Sequence, residues 1–351
     1  MARRDRSPEI DAALLSAVGT HPRDLVHATA RALGLSRTAV ASRVRALVEQ
    51  GYLTRVGTTR PVYSPGPNRR RVFTYRRAGL AEDLVWARDA MPLLTGLPAN
   101  VLDIAHHGMT EMVNNAIDHS EGETVQVLVD RTASKLSLVV ADDGVGIFRK
   151  ITRALSLPDE RLALLELSKG KLTTDPRRHS GEGIFFTSRM FDRFQIASGE
   201  LLFDHDASAE DDMLFDHDAP RTGTTVFMEI RPDSARTVTE VFQAFSSGPD
   251  DYAFARTVVP VRLARIGDEN LVSRSQAKRL LQRVDRFRTV VLDFEGVERI
   301  GQAFADEVFR VFANEHPAIE LIPIHASPEV QQMIRRAEVL RDENSEQLPL
   351  L

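Results

Sequence analysis

The segment Glu111-Met-Val-Asn-Asn115-Ala-Ile-Asp118-His119 is answered further along by Asp142-Asp143-Gly144-Val145-Gly146-Ile147. Residues three and four apart share a helix face. Glu111, Asn115 and Asp118 or His119 therefore project to one side, while Met112, Val113, Ala116 and Ile117 pack on the other. A lone carboxylate with a neutral amide one turn on is a poor structural pair but a reasonable chemical one. The carboxylate can orient or deprotonate an attacking group, and the amide oxygen can hold a hard cation that keeps most of its waters.

The second segment closes an apolar run, Lys135-Leu-Ser-Leu-Val-Val-Ala141, that reads as a buried strand. Its glycines allow positive φ and close approach of a ligand. A third piece, His179-Ser-Gly181-Glu-Gly183-Ile184-Phe-Phe, opens an apolar helical stretch, and a glycine turn at a helix N-terminus suits phosphate. A fourth, Gly223-Thr224-Thr225-Val-Phe-Met-Glu-Ile230, is a glycine-led strand. Each motif alone is weak. Four in this order, with strand and helix patterns between them, are informative.

These segments resemble the ATPases that include DNA gyrase, the ninety-kilodalton heat-shock chaperones, mismatch-repair clamps and histidine kinases. The likeness covers roughly residues 90 to 232 and implies an α/β-sandwich, Bergerat-type ATP-binding domain with ATP and Mg²⁺ as ligands. The resemblance implies that Asn115 coordinates Mg²⁺, that Asp142 accepts from the adenine amino group, and that Glu111 is the general base. It also implies that Asp118, Gly144, Gly146, Ile147, Gly181, Gly183 and Thr224 line the nucleotide. The second glycine box departs from the pattern: Phe185 stands where histidine kinases carry a further glycine. The flanks of Ala105-His106-His107-Gly108 lack the phosphoacceptor pattern, so both histidines read as ordinary helix residues. Between the glycine boxes lies a basic segment, Ser168 to His179. Lys169 or Lys171 is expected to reach a phosphate there, because lysines near a triphosphate supply point charge.

The formal net charge of −5 hides an asymmetry. Residues 1–80 hold fifteen Arg and five acidic residues, a balance of +10 that leaves −15 for the rest. A basic module on an acidic body points to nucleic acid at one end. Arg23 to Leu33 reads as a helix, Gly34-Leu35-Ser36 as a turn with Ser36 as N-cap, and Arg37 to Gln50 as a second helix. Tyr52-Leu-Thr-Arg-Val-Gly and Arg71-Val-Phe-Thr-Tyr-Arg follow as two strands around an arginine-tipped loop. This resembles a winged helix-turn-helix domain, whose second helix enters the major groove of duplex DNA. Arg37, Thr38, Ser42, Arg43 and Arg45 are the expected DNA-reading residues, with Val40, Val44, Leu47 and Val48 as the core stripe. Arg69, Arg70 and Arg71 are expected to touch phosphates from the wing.

Residues 81–95, around Ala81–Leu94, read as a linking helix in which Trp86 packs. The hexamer Leu202-Phe-Asp-His-Asp-Ala207 recurs as Leu214-Phe-Asp-His-Asp-Ala219 and reads as a duplicated, solvated hairpin. After Pro249, strand and helix patterns alternate. Strands at Thr257–Val261, Thr289–Phe294 and Ile319–Ile324 and helices at Ser273–Leu281 and Phe304–Phe312 indicate an α/β layer. It resembles STAS-like domains related to anti-sigma-factor antagonists. Gly301, Gln302 and Ala303 occupy the loop where those carry an acceptor serine, so a docking or dimerising role is expected.

With no cysteine, a disulfide frame and a Cys-based zinc site are excluded. No apolar run has spanning length, so a cytoplasmic protein with no membrane contact is expected. The fold class is multidomain α/β: a winged helix-turn-helix (1–80), the linking helix, the ATP-binding domain (96–235) and a STAS-like domain (250–340). The expected function is an ATP-responsive, DNA-binding transcriptional regulator. Its expected partners are duplex DNA, a protein docking on the STAS-like domain, and a second copy of the chain. Two alternatives stand beside it: a serine/threonine kinase like the anti-sigma-factor kinases, and a conformational ATPase of a defence or interaction module.

Overall fold

The computed structural model describes residues 6–172, 181–207, 213–248, 251–266 and 269–346. The chain forms two compact units, Met1–Gly144 with Thr225–Ala235, and Val145–Thr224 with Arg236–Leu351.

The first unit opens with three helices, α1 (Ser7–Ala17), α2 (Leu25–Leu33) and α3 (Arg37–Glu49). The sequence reading did not anticipate α1, which buries Ile10 and Leu14, four apart, with Val18 following at the same spacing. Gly34 ends α2 with φ 64°, the left-handed cap that glycine adopts without a Cβ clash. Ser36 caps α3, its hydroxyl accepting from Ala39 N at 3.3 Å. From the expected stripe of α3, Val40, Val44 and Leu47 are buried, and Val48 packs against the same core.

Strands β1 (Leu53–Val56) and β2 (Val62–Pro65) form an antiparallel hairpin. The next strand, β3 (Arg69–Arg76), corrects the expected wing. It does not return to β1; all eight of its residues pair with β4 (Thr124–Arg131), from Arg69 opposite Arg131 to Arg76 opposite Thr124. The reason lies in β4, which alternates buried Val125, Val127 and Val129 and offers β3 a long, regular partner. A short hairpin has no such surface.

A helical run follows β3: α4 (Glu82–Leu84), a π-turn at Val85–Ala90 and a 3₁₀ turn at Met91–Leu93. It falls where the linking helix was expected, but it follows β3, already part of the sheet with β4, and so does not join the two modules. Half-buried Trp86 lies tilted against His106 with ring centres 4.8 Å apart, and Tyr75 donates to Asp89 at 2.7 Å. Helix α5 (Ala99–His119) buries Ile104, Met109, Met112, Val113 and Ala116. Beyond β4, strand β5 (Leu136–Asp142) pairs antiparallel with β4 and with Thr225–Ile230.

The second unit begins with α6 (Ile147–Leu155), α7 (Arg161–Lys169) and α8 (Gly183–Met190). Strands β6 (Arg193–Asp206) and β7 (Met213–Ile230) are neighbours. Both copies of the repeated hexamer lie along these strands. The first copy is not a solvated hairpin: Phe203 and Asp204 are buried, and Asp204 accepts from Arg193 at 3.1 and 2.7 Å. Helix α9 (Val238–Ala244) starts with a Thr237/Glu240 capping box and leads to the hairpin β8 (Ser246–Gly248) and β9 (Asp251–Phe254).

The remainder is the expected alternating layer. Strand β10 (Arg256–Pro260) is followed by α10 (Arg274–Leu281), which starts at a Ser273/Gln276 capping box, and by β11 (Thr289–Asp293). Next come α11 (Gln302–Asp306), a π-turn at Glu307–Phe312 and α12 (Ala313–Glu315). Strand β12 (Glu320–Ile324) and α13 (Pro328–Glu346) close the chain. The strands are parallel in the order β10-β11-β12, which explains why their apolar runs are continuous and not alternating. Among the described residues, no helix is long and apolar enough to cross a membrane.

Candidate functional site

In the first unit, Glu111 and Asn115 are half-buried on α5, Asp118 is exposed and His119 lies in the last turn. The Asn115 amide nitrogen faces the sulfur of Met112 at 4.0 Å, so the amide oxygen is the atom suited to a cation. His107, one turn before Glu111, is held as a neutral imidazole. Burial, with a smaller push from His106, pulls its pKa down to about 4.

The two adjacent aspartates do different work. Asp143 accepts from Glu123 N at 2.8 Å, Thr124 N at 2.9 Å and Thr124 Oγ1 at 2.7 Å. The Thr124 bonds hold its carboxyl below the usual carboxylate range. It pins the turn that joins α5 to β4. Asp142 ends β5, opposite Val125, and accepts from Gly144 N at 2.9 Å. Gly144 is required for contact: a Cβ there would overlap the carbonyl of Ser120, standing 2.5 Å from its carbon. Arg77 completes the turn by donating to Gly122 O at 2.6 Å and Ile117 O at 2.9 Å. Sequence reasoning singled out Asp142 and Gly144 but passed over Arg77, Ser120, Gly122 and Asp143. The Ser-Glu-Gly between helix and strand was the available signal.

In the second unit, Gly146 is buried with φ 86°. A Cβ there would stand 2.6 Å from Ser198 Oγ, and Ser198 donates to Gly223 O at 3.0 Å. The Ile147 N–H donates to Thr224 Oγ1 at 3.0 Å. Gly146, Ile147 and Thr224 are thus brought together, with Ser198 as an unanticipated support. Gly181 has φ 74°, its carbonyl accepts from Leu172 N at 3.0 Å, and a Cβ would stand 2.6 Å from Leu172 N. Gly183 starts α8. Phe185, the departure in this box, is buried 4.5 Å from the Phe254 ring and 5.0 Å from Phe245. The phenylalanine serves packing. His179 and Ser180 of this box, with Arg177 and Arg178, lie outside the described residues.

The expectation for the two lysines is corrected. Lys169 is fully buried as the last residue of α7 and donates to Glu166 Oε1 at 2.6 Å and to the carbonyls of Gln282 at 2.8 Å and Arg279 at 3.3 Å. Burial lowers its pKa against the opposing pull of Glu166. Lys171 donates to Arg286 O at 3.0 Å and lies 4.7 Å from the centre of the Phe287 ring. Both ammonium groups are engaged by residues after 254 and not held for a phosphate.

The expected DNA-reading set also divides. Arg37, Thr38, Ser42 and Arg45 are exposed on α3. Arg43 is not part of that face: it makes a two-pronged ion pair with Asp11 of α1, at 2.8 and 2.5 Å. Arg69, Arg70 and Arg71 lie on β3 beside β4, with Arg70 3.8 Å from Asp130. The arginines of the β1–β2 hairpin are instead Arg55 and Arg60, both exposed. Tyr52 donates to Asp130 at 2.9 Å. Burial, aided by that bond, pushes the Tyr52 phenol up to about 12.

The residues fit a magnesium nucleotide in kind. In the first unit hard oxygen donors sit one turn apart on α5, a carboxylate ends β5 and a Cβ at Gly144 would meet neighbouring atoms; in the second unit the same holds of a Cβ at Gly146 or Gly181. The family model of the histidine kinase-like ATPase domain matches residues 77–201, and that of a STAS-like domain of unknown function (DUF4325) matches residues 276–331. The chain carries both domains. Glu111, Asn115, Asp142 and Gly181–Gly183 fall within the histidine kinase-like ATPase match, which supports ATP binding in general, and Thr224 lies beyond it. The match also takes in the helical run at Glu82–Leu93, ahead of residue 96. No relative was found among curated proteins.

Proposed function

We propose that this protein is an ATP-binding and ATP-hydrolysing regulator of transcription that binds duplex DNA and changes conformation with its nucleotide. The observation that carries the reading is β3. It leaves the arginine-rich α1–α3 and hairpin module and pairs along its whole length with β4 of the ATPase sheet. Tyr52 adds a second tie, to Asp130 on β4. Motion of that sheet is thereby carried into the basic module with no flexible linker.

Bound Mg²⁺ would supply charge neutralisation on the phosphates. Asn115 would hold it through its amide oxygen, Asp142 would accept from the adenine amine, and Glu111 would take the proton of the attacking water. The α1–α3 module with its β1–β2 hairpin is read as a winged helix-turn-helix. Arg37, Thr38, Ser42 and Arg45 would face the major groove, and Arg55 and Arg60 would approach the backbone.

The test uses the full chain with labelled ATP, with and without duplex DNA. Free phosphate, together with DNA binding that depends on nucleotide and falls steeply with salt, is the expected result. Label transferred to protein would move the reading to a serine/threonine kinase. ATP turnover without any DNA binding would leave a conformational ATPase.

A further inference from the structure

The C-terminal ends of helices α7 and α10 are tied to each other in both directions. The last carbonyls of a helix lack partners within it, and cations are favoured there. Lys169, ending α7, donates to the carbonyls of Arg279 and Gln282 in the last turn of α10 and at its cap. Arg283, just past α10, reaches back to the carbonyls of Gly170 at 3.5 Å and Lys171 at 2.5 Å, the two residues that follow α7. Glu166 joins the two cations, 2.6 Å from Lys169 and 2.8 Å from Arg283. Lys169 and Glu166 are each 1% exposed at the side chain, and Arg283 is 12% exposed. Arg283 also holds a left-handed backbone, φ 65°, a strain that persists only where surrounding contacts over-determine it.

A buried ion cluster of this kind is weak evidence of stabilisation, because apolar side chains of the same size often serve as well or better. What it supplies is one fixed geometry. That geometry leads to the second glycine segment along described residues: Arg283 holds the Lys171 carbonyl, the next N–H, of Leu172, is bonded to Gly181 O, and Gly183 starts α8. A parallel apolar route runs from α8 through Phe185, at 4.5 Å, to Phe254, and on to Phe287 at 5.1 Å. Thr257 of β10 adds a bond to the Lys169 carbonyl at 2.7 Å.

We infer that the STAS-like domain fixes the position of the Gly181–Gly183 segment through the crossed bonds of Lys169 to the end of α10 and of Arg283 to the residues after α7, so that a change in either is transmitted to the other. The functional meaning rests on the nucleotide reading above; the mechanical coupling does not. A partner docking on the STAS-like domain would then set nucleotide affinity, and nucleotide would set the state presented to that partner.

Hydrogen exchange on the full chain tests this. Arg283→Met removes the fork, and Arg283→Gly removes it while relieving the left-handed backbone, which guards against a folding artefact. In the absence of nucleotide, both variants should raise exchange at 181–190 by about fivefold or more, whereas the bonds of Arg283 go to Glu166, Gly170 and Lys171. Lys169→Met should do the same at 276–287. A non-hydrolysable ATP analogue should bind both Arg283 variants about tenfold more weakly than the parent. Exchange at 181–190 equal to the parent in both Arg283 variants would overturn the coupling. Raised exchange in a chain whose parent binds no analogue would support the coupling and overturn the nucleotide reading instead.

Discussion

Gly144→Ala isolates one contact. The backbone of Gly144 is not in the left-handed region, so alanine meets no conformational penalty there. Its added methyl group would overlap the Ser120 carbonyl at the end of α5 and stand 2.5 Å from that carbon. The methyl meets backbone atoms that cannot swing away, so relief requires moving the end of α5 against the start of the β4 turn, which Asp143 and Arg77 hold. The cost lies at the upper end for overpacking, about 3 kcal/mol, or roughly a hundredfold in the folding equilibrium. The chain's one tryptophan, Trp86, lies in the same compact unit, so its fluorescence in a urea titration reports the right transition. Two controls calibrate the result. Gly34 has open space but φ 64°, and alanine there should cost about 1 kcal/mol with nucleotide binding intact. Gly19 has open space and no positive φ, and alanine should be neutral or stabilise by up to about 1 kcal/mol. A Gly144→Ala chain that unfolds at the parent's urea concentration would refute the steric argument.

Arg43→Ala should lower stability by about 1 kcal/mol through loss of the Asp11 pair, whereas Arg45→Ala should weaken DNA binding at unchanged stability; the reverse pattern in a paired urea and DNA titration would sink the assignment. Glu111→Ala should bind ATP and lose turnover, as expected for a residue acting in the chemical step, and Asn115→Ala should lose the Mg²⁺ dependence of binding; turnover at the parent rate in the first would make Glu111 structural. His107 predicts acid sensitivity. Its folded pKa of about 4 lies below the ordinary 6.5, so the unfolded chain binds the extra proton. Its contribution is present above pH 6.5 and fades as pH falls toward 4, a loss of about 3 kcal/mol. Trp86-monitored urea unfolding at several pH values checks this, and His107→Leu should flatten the slope.

Much of the candidate site was legible because its signals are local. Glu111 and Asn115 sit one turn apart, Asp142 closes an apolar run, and the glycines punctuate turns. The STAS-like strands were legible for a similar reason, since parallel strands read as unbroken apolar runs. What escaped depends on distant partners. Nothing around Lys169 announces burial, because the carbonyls that accept its protons belong to Arg279 and Gln282. Arg43 reads as a DNA contact until Asp11 is beside it. Arg71–Arg76 has the alternation of any half-exposed strand, and only the pairing with β4 assigns it to the ATPase sheet. Helix α1 was within reach, given Ile10, Leu14 and Val18 at four-residue spacing.

The strand β3 also restricts how this chain can be divided. A fragment ending near residue 80 would keep β3 without the strand it pairs along its entire length. The complementary piece would leave β4 as a bare sheet edge whose valines pack the interior and whose backbone donors and acceptors await a new partner. Such edges recruit other chains. Transplanting the basic module onto another protein, or another reader onto this ATPase, would therefore call for a junction between Pro65 and Arg69, with β3 travelling alongside the sheet and not with the helices that precede it.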